Sequence, residues 1–443
     1  MKKSFRLFTL SITAMIGLAF QPVAVPEEQP VAVQEEQTAA SSVYQNLELF
    51  ASVLEIVSKN YVREVNNQEL IYGALKGMLG SLDSYSQFMD PETYEEMKVE
   101  TKGEFGGLGI EITLRNDILT IITPIEDTPA SRAGLRPGDR IVQINGGSTK
   151  NMTLVDAVKS LRGKPGTEVT ITVMRLGEKE LLDFTLAREI IPIRSVRDVK
   201  VLEGGIGYLR LSQFHEDTVR EFDQAMEQLK EKEIRGLILD LRYNPGGTLQ
   251  AAVEVADRFL DRGKIIVQAI GRNEQVEAEI KATQSDRYPE LPIVILINEG
   301  TASGSEIVAG ALRDHHRAIL VGDKTFGKGS VQSVLPLRDA SAIRLTTAYY
   351  YTASHRLINE VGIEPDIKIS MTDEEKRDHI LKRYEALKKL EDVFEQEEAE
   401  TIPPVEKEEK KPEGYDPQLQ RAVDVLKGIT LFRDFQLQLG EKN

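Results

Sequence analysis

The sequence contains no cysteine, which excludes disulfides, thiolate catalysis and a lipidated N-terminal cysteine. It has only five histidines among 443 residues, and none of them falls into an H-E-x-x-H or other metal-ligand spacing. Positive charge is also scarce, because 55 Lys and Arg stand against 71 Asp and Glu and leave a net charge of −16. Binding to nucleic acid requires clustered basic residues, so the composition argues against that partner. No metal or other cofactor is expected.

The N-terminus is typical of an export signal. Three basic residues precede the uncharged, mainly apolar stretch Leu7–Phe20. A clean A-x-A cleavage site is missing, so residues 1–26 are interpreted either as a signal peptide or as an uncleaved membrane anchor. Residues 27–42 are rich in Pro, Glu and Gln and are predicted to form a tether. The protein is therefore expected outside the cytoplasm, in the periplasm or another extracytoplasmic space, with or without an inner-membrane anchor.

The rest of the chain changes character several times. Residues 43–100 have the three- and four-residue apolar spacing of helices. Residues 101–188 combine short alternating strands with turn residues, which is typical of a small β-rich domain. Strand and helix patterns then alternate through residues 189–372, which predicts a mainly parallel α/β core. Residues 373–443 are charged and helical. The predicted fold class is α/β and multidomain, with an inserted β-rich domain and flanking helical regions.

Two residues of the predicted core point to nucleophilic chemistry. Ser303 follows the apolar run Leu291–Ile297 and precedes a helical pattern, and Lys328 follows the next run, Ala318–Val321. The carboxyl ends of parallel strands are where α/β folds place their sites. A serine hydroxyl needs a neighbouring base, and a lysine can be that base when burial lowers its pKa. The apolar neighbour Phe326 is expected to help desolvate the amine. The pattern predicts a Ser303 nucleophile and a Lys328 base.

Supporting groups can be named as well. Gln332, four residues after the lysine, could hydrogen-bond its neutral amine, either on a helical turn or across a bend at Gly329, and the sequence leaves both open. The backbone N–H of Gly304, at the start of the predicted helix, would face an oxyanion. A second oxyanion donor has to come from elsewhere, and the turn Asn244–Gly247 is the best candidate because it also ends a strand.

Other interpretations compete with this one. Ser303 and Glu306 fit the S-x-x-E capping box, so the serine could simply cap a helix. Gly322–Lys328 matches the G-x-x-x-x-G-K of a phosphate loop, but Gly329 stands where Ser or Thr must hold magnesium, and a strand pattern follows. Gly106–Gly109 is glycine-rich but opens a strand, so it fails as a dinucleotide site.

A Ser-His-Asp triad would have to use Asp314 with His315 or His316. These residues end the helix that Ser303 begins, about 16 Å along its axis, which is too far for direct contact. A penicillin-recognising serine enzyme is excluded as well, because no serine in the chain has lysine three positions later.

Several motifs in order resemble the C-terminal processing, or tail-specific, proteases. They are TASGSEIVAGALRD around Ser303, GDKTFGKGSVQ around Lys328, DLRYNPGG from Asp240 and GIEPDI from Gly362. The resemblance extends over Tyr44–Ile369. It implies a serine endopeptidase that uses a Ser-Lys dyad and needs no cofactor.

The resemblance also implies a role for each matched residue. Ser303 would be the nucleophile, Lys328 the general base and Gln332 its orienting partner, while Gly304 and Gly246 would supply oxyanion N–H groups. The competing hypothesis is a catalytically inactive PDZ scaffold or adaptor. The protease hypothesis requires Ser303 and Lys328 to lie within hydrogen-bond reach of each other, and the scaffold hypothesis does not.

The β-rich segment, residues 101–188, is similar to PDZ modules. The resemblance implies that it binds the free C-terminus of a protein or peptide substrate, which would add as an edge strand and contact the helix around Leu154–Leu161. Its predicted carboxylate-binding residues are Gly106, Gly107, Leu108, Gly109 and Ile110. The helical flanks resemble regions through which some relatives dimerise, so a homodimer and a regulatory adaptor are further partners that this interpretation allows.

Overall fold

The computed structural model describes residues 31–115, 118–376 and 416–440. The predicted export signal lies outside these residues. Within the described ranges, no helix combines the length and the apolar character that crossing a membrane requires. The chain divides into two compact units, residues 1–74 and residues 75–443.

The described part of the first unit is helical. Helix α1 runs over Val31–Asn60, and α2 runs over Asn67–Gly80 and crosses the boundary between the units. Both helices agree with the apolar spacing of residues 43–100. Helix α1 begins inside the segment predicted to be a tether, so residues 31–42 of that segment are helical.

The second unit alternates strands and helices. Its elements, in chain order, are β1 (Gln87–Met89), α3 (Pro91–Lys102), β2 (Glu104–Gly107), β3 (Ile110–Arg115), β4 (Ile118–Pro124), α4 (Pro129–Arg132), β5 (Arg140–Ile144), β6 (Gly147–Ser148), α5 (Leu154–Leu161), β7 (Glu168–Met174), β8 (Leu182–Ala187), β9 (Glu189–Pro192), β10 (Val196–Leu202), β11 (Ile206–Leu211), α6 (Thr218–Glu231), β12 (Gly236–Asp240), α7 (Leu249–Asp257), β13 (Ile265–Gly271), β14 (Val276–Lys281), β15 (Ile293–Ile297), α8 (Gly304–Asp314), β16 (Ala318–Gly322), β17 (Ser330–Pro336), β18 (Ala342–Tyr351), β19 (Ile367–Lys368) and α9 (Pro417–Gly440).

A mainly parallel sheet forms the core, as the alternating pattern predicts. Its order is β10-β11-β12-β15-β16-β19, and only β10 runs antiparallel to its neighbour. Every residue of the central strand β15, with the sequence IVILI, is buried. A continuous apolar run of this kind is typical of a parallel strand that is covered on both faces.

Different helices cover the two faces of this sheet. Helices α6, α7 and α8 pack on one face in the largest hydrophobic core. On the other face, α9 packs through Ala422, Val423 and Leu426. The buried guanidinium of Arg242, which follows β12, bonds to Asp416 at the start of α9 with N–O distances of 2.9 and 3.0 Å. The C-terminal helix is thus an integral part of the core.

A second, antiparallel sheet packs against α7 and α8 on their far side. Strand β18 pairs with β1 and β13 and with β17, and β14 pairs with β13. Strand β13 belongs to this sheet and not to the parallel one, although it follows a helix in the same alternating pattern. The second sheet carries the segment that follows Lys328.

The β-rich domain has a hydrophobic core of its own. Its sheet has the order β3-β4-β5-β7-β8, with β6 on β5, so β3 is an edge strand, and α5 contacts it. The strands that lead into and out of this domain, β2 and β9, pair with each other as a separate ribbon. These features confirm the predicted class, an α/β core with an inserted β-rich domain.

Candidate active site

Ser303 lies at the turn between β15 and α8 in a strained backbone conformation. Its φ of 54° and ψ of −118° fall outside the regions that L-residues usually occupy. An ordinary N-cap residue has extended backbone angles, so a capping role alone does not account for this conformation. Strain of this kind is concentrated at functional sites, and sharp strand-turn-helix connections expose the serine of other hydrolases. The backbone therefore favours the nucleophile interpretation over the simple cap.

The NPGG turn after β12 is fastened to the turn that carries Ser303. The carbonyl oxygen of Asn244 accepts hydrogen bonds from the Ala302 N–H, at 2.9 Å, and from the Ser305 hydroxyl, at 3.1 Å. A Cβ added to Gly246 would lie only 2.7 Å from the Cβ of Ser303. Strands β12 and β15 are parallel neighbours, so their carboxyl ends meet at one edge of the sheet. The structure places these two turns side by side at that edge, as predicted.

The fully buried side chain of Glu306 joins the serine turn to the lysine loop. Its Oε2 accepts the backbone N–H of Ser303 at 2.8 Å and that of Lys328 at 2.9 Å. Its Oε1 accepts the Thr325 hydroxyl at 2.5 Å and the Gly327 N–H at 2.8 Å. Because Ser303 and Lys328 bond to the same oxygen, their backbone nitrogens lie within roughly 6 Å of each other.

The ionisation of Glu306 follows from these contacts. Burial raises the pKa of this carboxyl group, and the four hydrogen bonds oppose that rise. Three of the four partners are backbone N–H groups, which can only donate, and a carboxylate can accept all four bonds, whereas a protonated acid would have to direct its hydrogen at the Thr325 hydroxyl. The geometry suits the carboxylate.

Lys328 is half-buried, and its environment lowers the pKa of its amine. Burial is the largest cause, the positive charge of Arg344 acts in the same direction, and the Glu306 carboxylate opposes both. Its Nζ lies 5.2 Å from the centroid of the Tyr85 ring. Phe326 was expected to shield the amine, but its side chain is 61% exposed, and the ring beside the amine is that of Tyr85. The aromatic residue beside the amine comes from a distant part of the sequence.

Gln332 lies on strand β17, where the pairing with β18 is irregular between Val331 and Gln332. Of the two geometries that the sequence left open, the chain after Lys328 therefore adopts the irregular strand and not the helix. The Gln332 Nε2 donates to the Thr346 hydroxyl at 2.9 Å. Its Oε1 is buried and has no hydrogen-bond partner within the described structure. A buried acceptor without a hydrogen bond destabilises the folded state. A lysine amine is a donor of the kind that this oxygen could accept.

The two predicted oxyanion donors differ in their availability. Gly304 begins helix α8, so its N–H has no partner inside the helix. The N–H of Gly246 donates to the Asn244 side chain at 2.9 Å, so in this conformation it is already engaged. The neighbouring N–H of Gly247 has no hydrogen bond within the part of the chain that the structure describes. A Cβ at Gly247 would lie 1.9 Å from the carbonyl oxygen of Phe214, so only glycine fits there.

The histidines of the alternative triad lie at the other end of α8. His315 is the C-cap of this helix, and its Nε2 lies 2.7 Å from the carbonyl oxygen of Ile265 on β13. His316 follows it. Neither residue is near the N-terminal end of the helix, where Ser303 stands, which agrees with the exclusion of a histidine base.

The predicted carboxylate-binding loop is divided between two elements. Gly106 and Gly107 belong to β2 and pair with Ile190 and Glu189 of β9, so they are part of the connecting ribbon. Leu108 and Gly109 form the turn, and Ile110 begins the edge strand β3. Gly109 has a φ of +74°, and a Cβ there would lie 2.3 Å from Thr128. The turn before the edge strand β3 thus requires Gly109 more strictly than Gly107.

Comparison with known proteins identifies the family. Residues 205–369 match the model for peptidase family S41, residues 120–175 match a PDZ domain, and residues 12–93 match the N-terminal domain of the activating protease CtpB. A carboxy-terminal-processing protease of Bartonella bacilliformis is 44% identical over 339 residues, which cover 76% of this chain and 77% of that protein. The chain belongs to this family. It is a serine peptidase with a PDZ domain.

Other C-terminal processing proteases are similar over comparable lengths. The carboxy-terminal processing protease CtpA of Bacillus subtilis is 32% identical and aligns with 84% of this chain and 79% of its own length. CtpB of the same organism is 37% identical, over 72% and 67%. A solved structure of a photosystem II D1 C-terminal processing protease covers 73% of this chain and 92% of its own at 30% identity, with a TM-score of 0.44.

Two features of the candidate site were not found from the sequence. Glu306 was noticed only as part of a capping motif, yet it accepts hydrogen bonds from both halves of the site. Its position three residues after Ser303 was the available signal. Tyr85, whose ring approaches Lys328, had no local signal, because the contact forms between residues far apart in the chain.

Proposed function

We propose that this protein is an exported serine endopeptidase that binds the free C-terminus of a protein substrate in its PDZ domain and cleaves peptide bonds with a Ser303–Lys328 dyad. The observation that carries the proposal is the Glu306 carboxylate, which accepts the N–H groups of both residues on one oxygen. A structural cap would need only the first of these bonds. The second ties the base-bearing loop to the nucleophile.

The reaction begins with proton transfer. Neutral Lys328 takes the proton from the Ser303 hydroxyl while the serine oxygen attacks the carbonyl carbon of the scissile peptide bond. Burial and the charge of Arg344 favour the neutral amine because both lower its pKa. The buried, unpartnered Oε1 of Gln332 is suited to accept an N–H of that amine and to direct its lone pair at the serine.

The tetrahedral intermediate carries its negative charge on the former carbonyl oxygen. The N–H of Gly304 is the first donor for that oxyanion. The second comes from the NPGG turn, where the N–H of Gly247 is unengaged and that of Gly246 would have to leave Asn244. Protonated Lys328 then gives its proton to the departing amine, and the acyl-enzyme is hydrolysed by water that the same lysine activates.

Substrate capture uses the edge strand β3. A peptide that pairs with β3 would lie beside α5, and its terminal carboxylate would reach the turn at Leu108 and Gly109. The remaining residues of the predicted loop, Gly106, Gly107 and Ile110, flank this turn. Export rests on the basic and apolar N-terminal segment, and a homodimer and a regulatory adaptor stay predictions that need partners to test them.

The test is cleavage of a soluble protein with an unstructured C-terminal tail, followed by mass spectrometry of the products. Ser303→Ala should abolish cleavage and leave the fold and peptide binding intact. Lys328→Ala should do the same. If wild type and Ser303→Ala leave the substrate equally uncut while both bind its C-terminus, the protein is the alternative PDZ scaffold. Cleavage by Ser303→Ala at the wild-type rate would refute the assignment of the nucleophile.

A further inference from the structure

The segment Asp83–Met89 runs beside β18, the second strand after the catalytic lysine loop. Its last three residues form β1, which pairs antiparallel with β18, with Gln87 opposite Arg344 and Met89 opposite Ala342. The other edge of β18 pairs with β17, which begins two residues after Lys328. The segment and the lysine loop therefore share one partner strand.

Tyr85 is held in place by contacts on its own backbone. The Oδ1 of Asp83 accepts the N–H groups of Tyr85 and Ser86, both at 2.7 Å, which closes a tight turn. Arg344 donates to the Tyr85 carbonyl oxygen at 3.4 Å. The Tyr85 ring is thereby fixed with its centroid 5.2 Å from the Nζ of Lys328, where it covers one side of the amine.

Ser86 begins a hydrogen-bonded chain that ends at Gln332. The Ser86 hydroxyl lies 2.8 Å from Oδ2 of Asp83 and 3.3 Å from the Thr346 hydroxyl. Asp83 can only accept, so the hydrogens of the Ser86 and Thr346 hydroxyls are shared between this carboxylate and the contact that joins the two hydroxyls. The Thr346 oxygen in turn accepts Nε2 of Gln332 at 2.9 Å. While the Thr346 hydrogen is directed towards Ser86 and Asp83, the Thr346 oxygen accepts from Gln332, so turning the Gln332 amide over would break that bond.

We propose that the Asp83–Met89 segment is a working part of the catalytic site, in which Tyr85 shields the amine of Lys328 and Ser86, acting through Thr346, fixes the amide of Gln332. Tyr85 and Ser86 are positioning residues, because they touch the base and its partner and not the substrate. This inference rests on the proposed Ser-Lys mechanism. It assigns to the catalytic site a segment that lies before the PDZ domain in the chain.

The shielding has a predictable sign. The charged groups that act on Lys328 are Glu306 from α8, which stabilises the ammonium, and Arg344 from β18, which destabilises it. Burial is the largest influence, and it favours the neutral amine. Removing the Tyr85 ring admits water, so the pKa of Lys328 should rise towards its ordinary value. Each unit of that rise lowers the neutral fraction about tenfold at any pH below the pKa.

The experiment is a profile of kcat/KM against pH, from neutral to strongly alkaline, with the full-length protein and a peptide substrate. Tyr85→Ala is compared with wild type, with Tyr85→Phe, which keeps the ring, and with Tyr85→Leu, which keeps apolar bulk without it. The matched control is Tyr94→Ala, because the Tyr94 ring also lies under a lysine, Lys98, at 4.5 Å, but on α3. Ser303→Ala gives the background rate without the proposed nucleophile, and thermal unfolding verifies that each variant folds.

Tyr85→Ala should lower kcat/KM about tenfold or more at neutral pH. The activity should recover as the pH rises, so that the alkaline limb of the profile shifts to higher pH. Tyr85→Phe and Tyr85→Leu should keep the wild-type limb, so the shielding role can still be refuted if Tyr85→Ala does not fold. An unshifted limb in folded Tyr85→Ala, or a shifted limb in Tyr85→Leu, would overturn the shielding role. If wild type itself is no faster than Ser303→Ala, the proposed function fails instead.

The hydrogen-bonded chain is tested by a double-mutant cycle. Ser86→Ala removes a hydrogen-bond partner of the Thr346 hydroxyl, so it should lower kcat with KM nearly unchanged. The same loss should appear in Gln332→Ala, and the double variant should be little worse than Gln332→Ala alone. Fully multiplicative losses would mean that Ser86 does not act through Gln332.

Discussion

Glu306→Gln is the sharpest single perturbation of the site, because the two side chains have the same shape. The carboxylate accepts four hydrogen bonds, two on each oxygen. An amide replaces one of those oxygens with an NH₂ group, which can only donate. If the nitrogen faces the N–H groups of Ser303 and Lys328, both bonds are lost. If it faces Thr325 and Gly327, the threonine hydroxyl can turn and accept, and only the Gly327 N–H opposes it.

The second orientation is cheaper, so it sets the magnitude. One lost hydrogen bond to a charged group costs about 1.5–3 kcal/mol, and the bonds from the Ser303 and Lys328 N–H groups weaken because their acceptor is now neutral. The neutral amide avoids the cost of burying a charge, which recovers part of this loss. We expect Glu306→Gln to lower the free energy of unfolding by about 2–3 kcal/mol. A loosened lysine loop should lower kcat about 100-fold, as small displacements of reacting groups do.

The same substitution moves the pH profile in the opposite direction to Tyr85→Ala. Glu306 raises the pKa of Lys328, so removing its charge should lower that pKa further. The remaining activity of Glu306→Gln should therefore begin to rise at a lower pH than that of wild type. Denaturant unfolding and a pH–rate profile measure the two effects, and exposed Glu227→Gln is the control. Wild-type stability together with an unshifted limb would refute the role given to Glu306.

Three further predictions follow from the structure. Wild-type activity should rise with pH as the Lys328 ammonium loses its proton, which a pH–rate profile measures. Lys328→Arg should be inactive at every pH because a guanidinium stays charged, so an active arginine variant would contradict the assignment of the base. Gly109→Val should weaken binding of a peptide with a free C-terminus about tenfold or more, because the valine side chain would collide with Thr128. Titration with the amidated peptide is the control and should reveal no comparable change. Asp416→Ala should lower the free energy of unfolding by about 3 kcal/mol, since it removes two bonds to the buried Arg242. An unchanged unfolding midpoint would show that these two bonds do not hold α9 in place.

Much of the core could be predicted because its signals are local. The apolar run that became β15 and the alternation of strands and helices indicate a parallel sheet, and the carboxyl ends of such strands lie at one edge. That reasoning brings Ser303 and the NPGG turn together without a structure. It does not separate β13 from the parallel sheet, because pairing partners depend on contacts between distant strands, which local periodicity does not contain.

The fine geometry of the site could not be predicted for a related reason. Glu306 fits a capping motif, and a motif specifies only the bond to Ser303, whereas the bonds to Gly327 and Lys328 depend on how the next loop folds back. Phe326 was expected to shield the Lys328 amine because it is a neighbour in sequence. Shielding depends instead on which ring packs beside the amine in the folded chain, and that ring belongs to Tyr85.

The site has to satisfy two opposing electrostatic demands. A general base must be neutral, yet the anchor that holds Lys328 beside Ser303 is a carboxylate, which favours the ammonium. The structure limits this conflict in two ways. The charge of Glu306 is shared among four donors, three of them backbone N–H groups, so it is strongly solvated by the protein itself. Burial and Arg344 act on the amine in the opposite sense and prevail, since the pKa of Lys328 is lowered. An anchor that used apolar contacts alone would avoid the conflict but could not fix two backbone N–H groups on one atom.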